Sequence, residues 1–204
     1  MPNKADAVEW VNGGADVRPQ APIRMKKRGH PDDFMTTMQR SVAVTAIGPS
    51  ALRNQGASGI VDAARDYLSS LNLKKFKLRK EEAFLSLLNS ETNLLMGSFP
   101  EKAQTWGAAR KAMNLFLRDV LYNKYLCDEF NISAIERWLE IPLDSMVAKG
   151  LRKRGKKGKL PAWPGLKRLT PEISRKYQTF AKNQAEAQGL SRIHLDIYLW
   201  LRER

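Results

Sequence analysis

From Asp33 onward, apolar residues recur at helical rather than strand spacing, and this predicts a chain built of helices. Phe34, Met38, Val42 and Ile47 mark a first helix over about 33–47. Asp32 and Asp33 stand at its start, where carboxylates meet the positive end of the helix dipole. Gly48-Pro49-Ser50 ends it, and the polar loop Arg53-Asn54-Gln55-Gly56 leads into a second helix carrying Ile60, Ala63, Ala64, Tyr67 and Leu68. Further helices are predicted at about 79–97, with Phe84, Leu87, Leu88 and Leu94, and at about 103–126, where Ala109, Met113, Phe116 and Val120 share one face. Shorter ones follow at about 132–140 and 143–151. The last two are predicted at about 171–188, with Pro171 in the first turn, and at 191–203, where Ile193, Ile197 and Trp200 form an apolar stripe. No alternating strand pattern and no internal repeat interrupts this series, so the expected fold is all-α.

Residues 1–31 break the pattern. Gly13-Gly14, Pro19, Pro22 and Lys26-Lys27-Arg28 occur there with few periodic apolars, which predicts a loosely ordered basic arm. The remaining 32–204 is expected to be a single domain, compact and formed of two closely packed lobes with a cleft between them. Within it, Lys149, Arg152, Lys153, Arg154, Lys156, Lys157 and Lys159 are interleaved with glycines, which predicts a flexible basic loop over 149–160.

Charge narrows the partner. The 204 residues include 35 Lys and Arg against 21 Asp and Glu, a net charge of +14, which favours a polyanion. Nucleic acid is the first expectation, with an RNA-associated or membrane-surface role as the lesser one. No apolar run is long enough to span a bilayer and the N-terminus lacks the apolar core of a signal peptide, so the expected location is the cytoplasm, in association with the nucleoid. A single cysteine, Cys127, excludes an intrachain disulfide and a four-cysteine cluster. With only His30 and His194 besides, neither a metal nor a cofactor is expected.

The candidate chemistry sits around Pro142-Leu143-Asp144-Ser145-Met146-Val147-Ala148, which puts a carboxylate at a helix start just before the basic run. Upstream, Trp106-Gly107-Ala108-Ala109-Arg110-Lys111 opens a helix, and Lys111 falls at the edge of its apolar face. One intervening helix separates Lys111 from Asp144 and is expected to turn the chain back so that the two meet. These residues resemble the helix–hairpin–helix DNA glycosylases, and within them the archaeal 8-oxoguanine DNA glycosylase branch. Gly107-Ala108-Ala109-Arg110-Lys111 looks like that family's Gly-x-Gly-x-Lys hairpin, with Ala109 in place of the second glycine. Pro142 to Ala148 looks like its Pro-x-Asp-x-x-Val-Ala, and His194-Leu195-Asp196-Ile197-Tyr198-Leu199-Trp200 is similar to its final helix. The three matches span about residues 106–200.

The resemblance implies a DNA glycosylase with associated β-lyase activity, acting as a monomer on double-stranded DNA and removing an oxidised or modified base such as 8-oxoguanine from a flipped nucleotide. It makes Lys111 and Asp144 the catalytic pair. Lys111 is expected to be the nucleophile, or else a phosphate contact beside an Asp144 that directs water. By the same resemblance Trp200 and Asp196 are expected to line the base pocket. Independently of it, the loop residues Arg53, Asn54 and Gln55 carry the donors and acceptors to fill the gap left by a flipped base or to read its partner, the plainer alternative being a polar loop between helices. Gly107, Arg110, Lys149, Arg152, Lys153 and Arg154 are the expected DNA-backbone contacts. Trp106 and Trp163 are either base-stacking or buried anchors. The alternative function is a non-enzymatic all-α DNA-binding protein, in which Asp144 is only a helix-terminal carboxylate.

Overall fold

The computed structural model describes residues 33–155 and 158–202, the side chains of residues 200–202 excepted. The basic arm at 1–31 and the lysines at 156 and 157 lie outside the described residues. The protein is all-α. Eight α-helices are present among the described residues: α1 (Phe34–Ala46), α2 (Ile60–Ser69), α3 (Glu81–Ser98), α4 (Trp106–Tyr122), α5 (Lys124–Phe130), α6 (Ser145–Arg154), α7 (Pro171–Glu186) and α8 (Leu195–Arg202). Short 3-10 helices at Leu73–Phe76, Glu101–Ala103, Ile132–Trp138, Leu166–Arg168 and Arg192–His194 join them.

Local chemistry sets the boundaries. Asp33 caps α1 by accepting from the Met35 amide at 2.8 Å, and Thr170 caps α7 through Ile173, with Pro171 in the first turn. The single helix expected over 103–126 is two. Its break is Asn123, whose side chain accepts from the Leu126 amide at 3.1 Å and so starts α5. The helix expected at 132–140 is the 3-10 turn Ile132–Trp138, entered from Asn131 in the left-handed region at φ 52°. The basic run also differs from expectation: Lys149, Arg152, Lys153 and Arg154 are the last turns of α6, not a loop. Their charges lie at the C-terminal end, where the helix dipole favours cations, and this offsets their mutual repulsion.

Two apolar clusters form the interior. The first gathers α1–α5 around Phe76, Phe84, Leu88, Met113 and Phe116. The second gathers α6–α8 around Leu143, Val147, Leu151, Tyr177, Leu195 and Leu199. Helix α4 is buried along nearly its whole length and packs on α1, α3, α5 and the Leu166–Arg168 turn. Its small residues Gly107, Ala108, Ala109 and Ala112 let those neighbours approach closely. On α8 the buried apolars are Leu195 and Leu199, continued by Ile193 of the preceding 3-10 turn, while Ile197 is exposed. Phe34, the first of the apolar residues that mark α1, is also exposed and meets Tyr125 edge to face at 5.2 Å.

The extended stretch between Trp138 and Asp144 crosses from the first cluster to the second, and two buried side chains hold it. Arg192 donates to the Leu139 carbonyl at 2.8 Å and the Trp138 carbonyl at 2.6 Å. Gln178 on α7 donates to the Ile141 carbonyl at 2.8 Å and accepts from the Ile141 amide at 3.1 Å, as a neighbouring strand would.

Candidate active site

Lys111 lies in the second turn of α4 and Asp144 immediately precedes α6, so the two clusters each contribute one member of a pair. The two meet: Lys111 Nζ is 3.3 Å from Asp144 Oδ2. Only 10% of the lysine side chain is exposed, against 29% of the aspartate's, so the pair is closed behind the lysine and open at the carboxylate. Lys111 Nζ also donates to the Ala51 carbonyl at 2.9 Å. Asp144 divides its work between its oxygens. Oδ1 accepts from the amides of Met146 and Val147, both at 2.9 Å, as the N-cap of α6, and Oδ2 faces the lysine.

Asp196, in the first turn of α8, is 9% exposed and paired with Arg118. Arg118 stands seven residues after Lys111 on α4, two helical turns along the same face, and its Nε also reaches Asp119 at 2.8 Å. Burial pushes the Asp196 carboxyl above the usual carboxylate range, with Arg118 pulling the other way. Asp144 raises it further and Lys111 lowers it, so Asp196 stands within the field of the catalytic candidates. Trp200 follows one turn later on α8, and its side chain lies outside the described residues. Beyond Arg118, His194 bridges two elements: Nδ1 is 2.9 Å from Tyr122 Oη and Nε2 is 2.9 Å from Glu136 Oε1, with the imidazole stacked on the Tyr122 ring.

The loop after α1 reaches the pair through the Ala51 carbonyl. Asn54 is exposed there in the left-handed region, φ 62°, a conformation asparagine tolerates. Gln55 is buried; its Nε2 donates to the Arg53 carbonyl at 3.0 Å, and its Oε1 has no hydrogen-bond partner among the described residues.

Two expected DNA-backbone contacts are interior. Arg110 makes a two-pronged bond to Glu140, at 2.8 and 3.1 Å, donates to Thr92 at 3.0 Å and lies over the Trp106 ring. A guanidinium so buried and engaged is not presented to a phosphate. Gly107 is closed in by the Leu166–Arg168 turn, because a Cβ there would lie 2.2 Å from the Leu166 carbonyl oxygen. It permits packing instead. Trp106 is thus an anchor beneath Arg110. Lys149, Arg152 and Lys153 remain on the exposed side of α6, while Arg154 is half-buried.

The residues that support the pair and that pattern reading misses are Arg118, Glu140, Gln178 and Arg192. Arg118 did leave a trace, since Lys111, Asn114 and Arg118 form a polar stripe at helical spacing on a helix otherwise rich in alanine and large apolars. Glu140, Gln178 and Arg192 left none. Among the described residues no three His, Cys, Asp or Glu side chains group closely enough to hold a metal ion, and no helix is long and apolar enough to cross a membrane. The chain matches no protein-family model, no curated protein and no solved structure.

Proposed function

We propose that the protein is a DNA glycosylase with associated β-lyase activity, in which Lys111 is the nucleophile and Asp144 the carboxylate that serves it. The observation that carries this reading is the contact between Lys111 Nζ and Asp144 Oδ2, a buried amine meeting an accessible carboxylate across 33 positions of sequence. The charge of +14 suits the substrate class.

A nucleotide flipped from the stack brings C1′ to the mouth of the pair. Asp144 receives a proton from the lysine, and the freed amine attacks C1′. The glycosidic C1′–N bond breaks, and the base leaves with the bonding electrons and takes up a proton. As this bond weakens, Asp144 passes the proton it holds to the departing base, and the carboxylate so restored lies where it stabilises the positive charge that grows on the sugar. Transfer of one of the two Nζ protons to O4′ as the C1′–O4′ bond breaks opens the ring and gives a protonated Schiff base between Nζ and C1′. Removal of a C2′ proton then expels the 3′ phosphate, which cuts the strand, and water releases the lysine. Asp196, raised by burial, paired with Arg118 and within the electrostatic field of both groups, supports the reading as a polar wall of the base site.

The test is a panel of duplexes, each bearing one modified base, including 8-oxoguanine. Borohydride should trap a covalent protein–DNA adduct with the native protein, and none with Lys111→Gln. Asp144→Asn should lower base release by at least about 100-fold. Base release without a trapped adduct would move the chemistry to a water directed by Asp144. No release from any duplex, with DNA affinity intact, would leave a non-enzymatic DNA-binding protein.

A further inference from the structure

A cavity of about 410 Å³ lies where α3, α4 and α7 meet, and Gln178, which holds Ile141, is part of its lining. Helix α7 presents Ser174, Arg175, Gln178 and Lys182 to it, three and four residues apart as one helical face requires. The described residues that line it include four cations, Arg110, Arg175, Lys182 and Arg192, against two carboxylates, Glu81 and Glu140.

The excess falls largely on Arg192. Glu140 is committed to Arg110 and to the Asn114 amide, so Arg192 feels its field but receives no hydrogen bond from it. Glu81 pairs with Lys182 at 3.6 Å. Arg192 is 6% exposed and spends Nε and Nη2 on the Leu139 and Trp138 carbonyls, while its Nη1 bonds to nothing among the described residues. Burial pushes this guanidinium below its usual value against the pull of Glu140 and Glu81, so the carboxylates present do not fully compensate it. Ser174, 3% exposed, also lines the cavity, and its hydroxyl has no partner among the described residues. A buried cation and a buried hydroxyl left with unused donors cost stability, and an anion entering the cavity offsets that cost. At the rim, Arg175 is exposed and forms no ion pair among the described residues, although its field reaches the exposed Glu172.

An excess of two charges matches a phosphate monoester, which carries about −1.5 to −2 near pH 7. Two guanidiniums and a hydroxyl suit its several oxygens. The cavity is larger than a phosphate group alone needs, and Asn89, Thr179 and Asn183, all exposed, offer hydrogen bonds to an organic body. A nucleic-acid backbone fits less well, because each of its phosphates carries a single charge and a duplex cannot follow into a recess that leaves so little of Arg192 accessible.

We infer that this cavity binds a small phosphate monoester, with the phosphate on Arg192, Arg175 and Ser174 and the organic body towards Asn89, Thr179 and Asn183. The site is independent of the reaction at Lys111 and is filled without DNA.

The experiment is calorimetric titration of the full chain, free of DNA, with inorganic phosphate, ribose 5-phosphate, deoxyguanosine 5′-monophosphate and dimethyl phosphate. At least one of the two monoesters should bind saturably, one per chain, with Kd below about 1 mM. Dimethyl phosphate, which has the single charge of a backbone phosphate, should bind at least about tenfold more weakly. Arg175→Gln should weaken monoester binding about tenfold and Ser174→Ala about fivefold. Lys74→Gln, which removes one exposed charge outside the cavity, should leave it unchanged. Arg175 is exposed, so its variant keeps the native thermal midpoint and tests the site even where Ser174→Ala destabilises the fold. The inference is overturned by the absence of saturable monoester binding, by equal affinity for dimethyl phosphate, by an affinity unaltered in Arg175→Gln, or by an equal loss in Lys74→Gln. None of these outcomes bears on base release from the lesion panel, so the two readings stand or fall separately.

Discussion

At the scale of single residues, Asp144 performs two tasks that substitution separates. Asn retains an oxygen for the Met146 and Val147 amides and removes the charge that Lys111 meets. Asp144→Asn should therefore melt within a few degrees of the native protein while base release is lost. Asp144→Ala should lose the same activity and, in addition, about 1 kcal/mol of stability in denaturant titration, the usual contribution of an N-cap. Equal stability of the two variants would show that the cap is dispensable. Gly107 gives a second test, free of chemistry: the added Cβ of Gly107→Ala would meet the Leu166 carbonyl at 2.2 Å and Leu169 Cβ at 2.8 Å. We expect a loss of about 1–3 kcal/mol, read as a lower thermal midpoint. The lysine and aspartate were legible as candidates because a resemblance drew attention to them. The interior place of Arg110 was not, because its partner Glu140 lies thirty positions away and no local spacing announces it.

At the scale of elements, helices with an apolar face were legible, whereas the break between α4 and α5 and the 3-10 turn at Ile132–Trp138 were not. Helices α1, α3 and α7 fall close to where apolar spacing and caps place them, since each buries one face and exposes the other. Helix α4 is different, because burial on nearly every side removes the contrast that an apolar stripe depends on. Its junction with α5 is a single asparagine cap, and α6 extends through a basic run whose composition favours a loop. The Arg118–Asp196 bond ties α4 to α8. Arg118→Gln should leave a buried carboxylate without its counter-ion, at a stability cost of about 1–3 kcal/mol. It should also weaken base release more than it weakens binding of undamaged DNA. Equal losses in both would mean that Asp196 only docks α8.

At the scale of the whole molecule, Glu140 couples the fold to pH. Burial alone would raise its carboxyl, but Arg110, followed by the field of Arg192 and the Asn114 amide, holds it below the usual carboxylate range. A lowered value in the folded state means that the ionised form is favoured there. Its stabilisation is complete above the ordinary value of 4.5 and is lost as pH falls through that value towards the folded one. The thermal midpoint should accordingly drop on acidification below about pH 4.5. In Glu140→Gln the midpoint should be lower at pH 7, by the equivalent of about 3–5 kcal/mol for an uncompensated Arg110, and the acid decline shallower. A parallel decline in both proteins would place the acid sensitivity elsewhere. The all-α class was legible at this scale, because it is a sum over many residues that no single contact reverses. The two clusters and the stretch that crosses between them depend on long-range bonds, and these have no signature in spacing. One such bond has a consequence for the timing of local opening. Gln178 occupies both backbone groups of Ile141, three residues before Asp144, so this peptide cannot fray alone towards solvent. Its amide proton should exchange with deuterium only on the slow clock of global unfolding, and the approach to Asp144 should keep its shape for as long as the second cluster is intact.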